Sequence, residues 1–537
     1  MEKRFLLAFV LSLLVLVLSQ VLIEKKFKQT AKPAQAPPAK TQSLPDTNPP
    51  ALPPPPEVKA THGSTEVSAI RAEREHDIVL ENSLVKIILS NRGAIVKSWI
   101  LKQYKDSNRQ LLDVVAGGDP NKGGLPLSLH FPDNTDLTSQ INSALFVDTP
   151  GVQGKTAPGE RTGVVLRYSE NGIEVEKSLA LRPNAFLADL DIQVKKSGIS
   201  LPYMVQWPAR FGDNALEMRD DAREVVTLTE GRPTKTSLAK VKDTQDLVGG
   251  FKVGGVEDRY FVAIFIPPSP ISRIQVVQTG ARLALPPQPF RLYVGPKEIG
   301  ILRNVDPQLE SLVDFGWFGL IGKPLFLALR WIYGYCKNYG LAVVLLTLVI
   351  NMAIFPLRWK SMVSAQKMQK LQPKIKAIQE RYKKYKVNDP KKQEMNQEMM
   401  ALYKEHGVNP LGGCLPILLQ MPILIAFYNV LTVAIDLRQV SFLWIPDLSQ
   451  YDKTFVLVII MVVTQFLMQR LTPTPSADPA QAKLFMLMPL VFGFMFAKVA
   501  SGLVLYWLTG NVIGIIQQLY LNKHGMVASQ ATDTAKK

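Results

Sequence analysis

Amide and hydroxyl side chains recur inside the apolar, uncharged stretches of the C-terminal third of this chain. Asn351 lies within TLVINMAIFPL, among Leu, Val, Ile and Met residues. The other members are Thr347, Gln420, Asn429, Thr432, Gln465, Gln469, Thr509, Asn511, Gln517 and Gln518. A polar side chain facing lipid is costly, so we expect these groups to face the bundle interior, one another or water. Two interpretations are open, interhelical hydrogen bonds or a water-containing groove shared by the first and last spans of this core.

The sequence lacks strong patterns for metal, covalent or phosphate chemistry. Cys336 and Cys414 lie in or beside apolar runs and the five histidines are scattered, so we expect neither a disulfide framework nor a metal site. TPGVQGKT is similar to a phosphate-binding loop, but Thr149 occupies its first glycine position. A protease built on Ser501 would need an intramembrane histidine, whereas His524 follows the last span. We therefore predict a protein that is not an enzyme and binds no nucleotide, metal or other cofactor.

The distribution of apolar residues predicts a multi-pass α-helical membrane protein with six transmembrane helices and a large soluble insertion. The chain has 537 residues, of which 47% are hydrophobic, and a net charge of +17. Residues 5–23 are uncharged and long enough to cross about 30 Å of hydrocarbon, as an uncleaved anchor or, alternatively, a cleavable signal peptide.

The same distribution of apolar, Pro-rich and charged residues divides the chain into twelve segments. We assign residues 1–24 to an N-terminal anchor, 25–60 to a Pro-rich linker, 61–310 to a β domain, 311–337 to an interfacial amphipathic helix, 338–357 to the second span, 358–410 to a helical hairpin, 411–434 to the third span, 435–453 to a loop, 454–470 to the fourth span, 471–483 to a loop, 484–521 to the last two spans and 522–537 to a tail.

The soluble insertion has the pattern of short strands separated by turns. In TGVVLRYSENGIEVEKSLALRP, Asn171-Gly172 separates two alternating segments, as a type I′ hairpin turn requires. Similar segments recur through residues 61–306, which predicts an all-β sandwich.

The segment from 358 to 410 contains thirteen basic and five acidic residues, a net charge of +8. The positive-inside rule places it in the cytoplasm, and six spans then place both termini there and the β domain in the periplasm of a bacterium. Apolar residues at spacings of three and four predict a first helix that Pro373 kinks or restricts, and Asp389-Pro390 should begin a second. The candidate docking residues of this hairpin are Arg358, Lys360, Met362, Lys367, Met368, Lys370, Lys374, Arg381, Lys383 and Lys384. The hairpin either docks a ribosome, a nascent chain or lipid headgroups, or is a solvated arm that sets topology.

Several long motifs of the C-terminal third closely resemble the YidC family of bacterial membrane protein insertases. They are LQPKIKAIQERY, QEMMALYKEHGVNPLGGCLPILLQMPI, LRQVSFLWIPDLS and SGLVLYWLTGNVIGIIQQ. The anchor, linker and β domain with its late LYVGP are similar to the Gram-negative form. The resemblance implies a five-helix insertase core and a periplasmic β supersandwich. It also implies an insertase and chaperone that acts alone or with the Sec translocon on nascent membrane proteins, with transient ribosome contact, lipid contact and no sequence-specific nucleic acid.

The resemblance also implies a substrate groove. Thr347 matches a groove threonine, and Tyr506 and Trp507 match an aromatic pair in which two tyrosines are common. The polar residues of the apolar stretches add Gln420, Thr509 and Asn511 as groove candidates. Asn351 occupies a position where the family commonly has arginine, so either polarity suffices or a nearby cation substitutes. Arg358 lies two helical turns further, about 10 Å along the axis. We expect that it can reach up from the cytoplasmic boundary but cannot occupy the same depth as Asn351. The alternative function is a membrane-anchored periplasmic carbohydrate-binding or envelope-scaffold protein.

Overall fold

The computed structural model describes residues 69–115, 124–151, 162–213, 223–385, 389–408, 415–472 and 479–534, all within one unit, Glu66–Lys537. The predicted anchor at 1–24, the linker at 25–60, residues 473–478 of the 471–483 loop and the end of the tail lie outside the described residues. Nineteen described strands lie between residues 77 and 296, and helices make up most of the described residues after 298.

The strands form three antiparallel sheets. In chain order they are β1 (Asp77–Glu81), β2 (Val85–Ser90), β3 (Ile95–Lys105), β4 (Leu111–Asp113), β5 (Ser128–His130), β6 (Val147–Pro150), β7 (Gly163–Glu170), β8 (Ile173–Leu181), β9 (Leu187–Lys196), β10 (Ile199–Ser200), β11 (Met204–Pro208), β12 (Glu224–Thr229), β13 (Arg232–Ser237), β14 (Gln245–Phe251), β15 (Val253–Glu257), β16 (Phe261–Ile266), β17 (Ile271–Val277), β18 (Gly280–Leu283) and β19 (Phe290–Pro296). The sheet orders are β1-β2-β3-β4, then β13-β12-β15-β16-β19-β9-β8-β7-β6 with β10 beside β9, and β14-β17-β18-β11-β5.

The core of the β domain is built from inward-facing apolar residues of these sheets. Trp207 is fully buried and lies edge-on to Trp99 and Phe265, with ring centroids 6.2 and 5.8 Å away. The predicted hairpin between β7 and β8 is confirmed, since Asn171 and Gly172 have φ angles of 52° and 72°, as a type I′ turn requires.

The described α-helices are α1 (Thr135–Ser143), α2 (Ile299–Val305), α3 (Gly319–Cys336), α4 (Tyr339–Arg381), α5 (Pro390–Glu405), α6 (Leu415–Val433), α7 (Val456–Leu471), α8 (Pro479–Phe496) and α9 (Ser501–Thr534). Two of them, α4 and α9, contain stretches long and apolar enough to cross a membrane, and three shorter apolar stretches lie in α6, α7 and α8. The six-span count stays a prediction.

Two element boundaries differ from those expected. The second span and the first hairpin helix form one helix of 43 residues, and neither Pro356 nor Pro373 ends it, since each proline removes only a single backbone donor. The small pair Ser501-Gly502 is also expected, from the sequence, to mark the turn between the last two spans. Instead it begins α9, where the Ser501 hydroxyl and amide both donate to Gln450 O at 2.7 Å.

Helix α3 has apolar residues on two opposite faces, one buried and one exposed. Gly322, Phe326, Leu329 and Ile332 are buried, and the helix packs against α4 and α6. Trp331 and Tyr335 lie on the opposite, exposed face, and Trp317 before the helix is 97% exposed. Such an exposed aromatic face suits the boundary between lipid and water.

Candidate functional site

Asn351 lies on the inner face of α4 and has both ends of its amide occupied. Its side chain is 2% exposed, and Nδ2 donates to Thr347 O at 2.8 Å. Its Oδ1 accepts a hydrogen bond of 2.6 Å from Nη1 of Arg358. Asn351 therefore holds a cation in place and does not itself offer free polar atoms to a substrate.

Arg358 reaches Asn351 because of the direction in which helical side chains point. Residues seven apart lie on nearly the same face, and the Cα–Cβ bonds tilt toward the helix N-terminus. The long side chain thus covers the two turns between them and is half-buried. Arg358 thus reaches up toward Asn351 as expected, but the expectation that it could not occupy the same depth was wrong, since its guanidinium lies within hydrogen-bonding distance of the amide.

Tyr506 joins the same region from α9. It is buried, stacks on Phe427 of α6 with ring centroids 4.6 Å apart, and accepts a hydrogen bond from Nε2 of Gln420. Arg358 lies close enough to Tyr506 for an electrostatic interaction, so α4, α6 and α9 bring three predicted groove residues, Asn351, Gln420 and Tyr506, together around a cation. Gln420 is half-buried, which leaves this cluster partly accessible.

Trp507 and Asn511 face a different helix, α7. They lie four residues apart and therefore on one face of α9. Trp507 Nε1 donates to Gln465 Oε1 at 3.0 Å, and Asn511 Nδ2 lies 3.3 Å from both Met461 O and Thr464 Oγ1. These contacts are interhelical hydrogen bonds to α7. For these two residues they match the first of the two interpretations open from the sequence, interhelical hydrogen bonding, and not the second, a water-containing groove.

Two groove candidates bond within their own helices. Thr347 is fully buried and donates from Oγ1 to Val343 O at 2.7 Å. Thr509 donates to Leu505 O at 2.8 Å but is half-buried, on the same side of α9 as Tyr506. Thr509 is therefore more accessible than Thr347 to a passing chain.

The basic hairpin, residues 358–408, is made by the second half of α4 packing against α5. Asp389 caps α5 by accepting from Lys391 N at 2.9 Å, as predicted. Buried Met368, Leu371 and Ile375 pack with Val408 and with partly buried residues of α5. Met368 was wrongly expected to present an exposed docking face, because α5 covers that face.

The basic residues of the hairpin remain at its surface, and Met362 is half-buried. The exposed members of the predicted set are Lys360, Lys367, Lys370, Lys374, Arg381, Lys383 and Lys384. Arg381 pairs with Glu398 at 2.5 Å, and Lys374 lies 3.1 Å from His406. The outward surface is consequently cationic.

The described residues contain no group of three or more His, Cys, Asp or Glu side chains that could hold a metal ion. A cleft of about 490 Å³ opens between α4 and α9, lined by Phe355, Pro356, Trp359, Lys360 and Tyr520. Its lining is almost entirely apolar, which suits a lipid-facing surface more than a polar ligand.

These features define a membrane protein with a β domain beside a helical core that holds a polar, positively charged centre. Residues 77–328 match the family described as the YidC periplasmic domain, and residues 331–529 match the 60Kd inner membrane protein family. A membrane protein insertase YidC from Syntrophus aciditrophicus is 33% identical over 556 residues, covering 97% of this chain and 100% of the relative. One from Wolinella succinogenes is 37% identical over 415 residues, covering 74% and 73%.

The chain belongs to the YidC family of membrane protein insertases. The family resemblance and the insertase function predicted from the sequence are confirmed, and the periplasmic-binder alternative is not favoured. An active YidC insertase crystal structure is similar at 19% identity, with a TM-score of 0.38 and coverage of 84% of this chain and 94% of that one.

Proposed function

We propose that this protein inserts and helps fold inner-membrane proteins, alone or with the Sec translocon, through a polar groove centred on Arg358. The observation that carries this proposal is the hydrogen bond between Arg358 and Asn351 beside Gln420 and Tyr506. An ionisable side chain inside an apolar helical bundle is costly, so its retention points to function.

The groove lowers the barrier for a hydrophilic client segment. Moving a polar or acidic segment into hydrocarbon costs several kcal/mol for each unsatisfied group. The Arg358 guanidinium, Gln420 and Thr509 offer partners along part of that path, so the segment gives up less of its solvation at once. The apolar segment of the client supplies the driving force by partitioning into lipid, without nucleotide hydrolysis.

The topology proposed for this activity has six spans, both termini in the cytoplasm and the β domain in the periplasm. The placement of these helices in the membrane is supported by their apolar outer faces. Met352 of α4, Val463 of α7 and Phe494 of α8 are exposed apolar residues. The net charge of +8 in residues 358–410 supports a cytoplasmic hairpin.

The proposed partners of the hairpin are a translating ribosome and its nascent chain. The exposed basic residues support this, because ribosomal RNA and anionic lipid headgroups attract clustered Lys and Arg. Contact with the lipid bilayer follows from the exposed apolar faces, and contact with the Sec translocon is a family expectation.

The test measures insertion of a single-span client with a short acidic tail into vesicles containing the purified protein. Asn351→Leu removes the acceptor that positions Arg358, and we expect insertion to slow about tenfold, as loss of about 1.5 kcal/mol from a charge-assisted hydrogen bond predicts. Arg358→Met should slow insertion at least as much, and a client with a neutral tail should be affected less.

Two further variants control this test. Met352→Leu alters the neighbouring, lipid-facing residue and should insert normally. The exchange Asn351→Arg with Arg358→Asn keeps one cation and one amide on the same helix face, and should restore most activity. Normal insertion of the acidic client by folded Asn351→Leu and Arg358→Met proteins would remove this pair from the mechanism.

A further inference from the structure

Arg438 lies in the α6–α7 loop, residues 435–453, yet its side chain is buried in the β domain. It forms a salt bridge with Asp213, and the two side chains are 3% and 0% exposed. The same guanidinium donates to Lys105 O at 2.5 Å and lies over the ring of Phe261, 5.6 Å from the centroid. One loop residue thus contacts three separate segments of the β domain.

The neighbouring residue strengthens this attachment. Nε2 of Gln439 donates to Lys105 O at 2.9 Å and to Asp106 O at 2.8 Å. A buried ion pair needs additional hydrogen bonds to offset its lost hydration, and removing one partner leaves an uncompensated charge. The attachment therefore depends strongly on both Arg438 and Asp213.

The other side of the α6–α7 loop holds the first turn of α9. Backbone hydrogen bonds run from Val440 N to Leu437 O at 3.5 Å, from Leu448 N to Val440 O at 2.9 Å, and from Gly502 N to Leu448 O at 2.9 Å. Ser501 donates twice to Gln450 O. A continuous set of hydrogen bonds therefore joins the residue before Arg438 to the start of α9.

This first turn fits closely against the loop. A Cβ added at Gly502 would lie 3.3 Å from Leu448 O and from a methyl group of Leu431. Tyr506, which meets Gln420 in the groove, follows only four residues later on the same helix. A displacement of the loop would therefore move the groove face of α9.

We propose that Arg438 is a positioning residue that fastens the α6–α7 loop to the β domain and thereby fixes α9 at the outer end of the groove. This inference rests on the proposed insertase function. The β domain then acts on insertion through the placement of α9, without contacting the client. Loss of the ion pair lets the loop lift, which opens the outer end of the groove and separates Tyr506 from Gln420.

The experiment uses the full-length protein with Cys336→Ser and Cys414→Ser, and a single probe, Val504→Cys. Val504 is 1% exposed in the second turn of α9. A membrane-impermeant maleimide is added to spheroplasts, from the periplasmic side, and client insertion is measured after reconstitution. We expect Arg438→Met to speed labelling of residue 504 at least fivefold and to slow insertion at least threefold.

The charge-reversed pair, Arg438→Asp with Asp213→Arg, provides the rescue. It should return both labelling and insertion to within about twofold of the parent. Where Arg438→Met does not accumulate, Asp213→Asn provides a second variant, because it removes the carboxylate charge while keeping the size of the side chain. It should also speed labelling of residue 504 and slow client insertion.

The outcomes separate this inference from the proposed function. Unchanged labelling in folded Arg438→Met and Asp213→Asn, or faster labelling with normal insertion, would overturn the positioning role. A parent protein that inserts no client would instead contradict the proposed function, while the labelling rates would still report whether Arg438 holds α9.

Discussion

Lys177 shows at the residue scale how the β domain accommodates a buried amino group. The side chain is buried, and Nζ donates to Gly93 O and Leu127 O at 2.8 Å and to Ala94 O at 3.2 Å. Burial lowers the pKa of Lys177 from 10.5 to about 7. The unfolded chain therefore holds a proton on this residue at pH 8 to 9 that the folded chain releases.

This difference predicts that stability rises with pH above about 7. The unfolded state binds more protons there, so the free energy of unfolding should increase by up to about 1.4 kcal/mol per pH unit from this group. Pulse proteolysis of the full-length protein in detergent at pH 7, 8 and 9 measures it. Lys177→Met should lack this component, and identical slopes for the two proteins would contradict the assignment.

The sequence revealed the unusual residue of the groove but not its role. Asn351 stood out because an amide interrupts an apolar run, and this needs no structure. Arg358 was considered as the nearby cation, but its depth was misjudged because the spacing of the two residues along the axis was treated as the limit of its reach. The signal that could have corrected this is the direction of helical side chains, which points the long Arg358 side chain back over the two turns toward Asn351.

The contact between α4 and the α6–α7 loop belongs to the element scale. A Cβ added at Gly340, in the first turn of α4, would lie 2.1 Å from Cδ2 of Phe442. The ring of Phe442 can approach only because residue 340 has no side chain. This close approach holds the loop against the helix that carries Asn351.

Gly340→Ala should therefore lower stability, although alanine favours helices. Overpacking costs about 1–3 kcal/mol, which exceeds the helix-propensity gain. Gly334→Ala is the matched control, since a Cβ at this position in α3 meets no atom within 4 Å, and it should stabilise by up to about 1 kcal/mol. Thermal unfolding in detergent compares them, and equal shifts would contradict the packing argument.

Local signals predicted elements well where one residue type determines the geometry. The Asn171-Gly172 turn and the Asp389 cap were both identified in this way. The apolar face of the hairpin was also recognised, but its occupant was not, because periodicity shows that a face is apolar and not what covers it. The contact between Arg438 and Asp213 joins residues 225 apart, and no local pattern signals such a pair.

The distribution of charge is the property of the whole molecule that bears on its partners. The net charge of +17 is concentrated partly in the basic hairpin, where the apolar residues are covered and the lysines are exposed. Recognition at this surface should therefore be electrostatic. The sequence composition already indicates this cationic segment, because the charge of a short loop depends little on folding, whereas its cytoplasmic placement stays a prediction.

Replacing Lys383 and Lys384 by Glu should weaken binding of the purified protein to ribosomes carrying a nascent membrane protein. We expect a loss of at least fivefold at low salt, which diminishes as salt screens the charges. Co-sedimentation at 50 and 200 mM salt measures it. Lys195→Glu with Lys196→Glu, an exposed lysine pair at the end of β9, is the control, and an equal loss there would show a general charge effect.

Helix α4 has a mechanical consequence, because one unbroken element carries both Asn351 and Arg381. Thirty residues of α-helix extend about 45 Å, so a tilt of about 10° at one end displaces the other by about 8 Å. A force applied at the tip of the hairpin, near Arg381, would therefore tilt the part of α4 that carries Asn351 and forms one wall of the groove. Docking of a large particle could thus widen or narrow the passage for its own emerging chain.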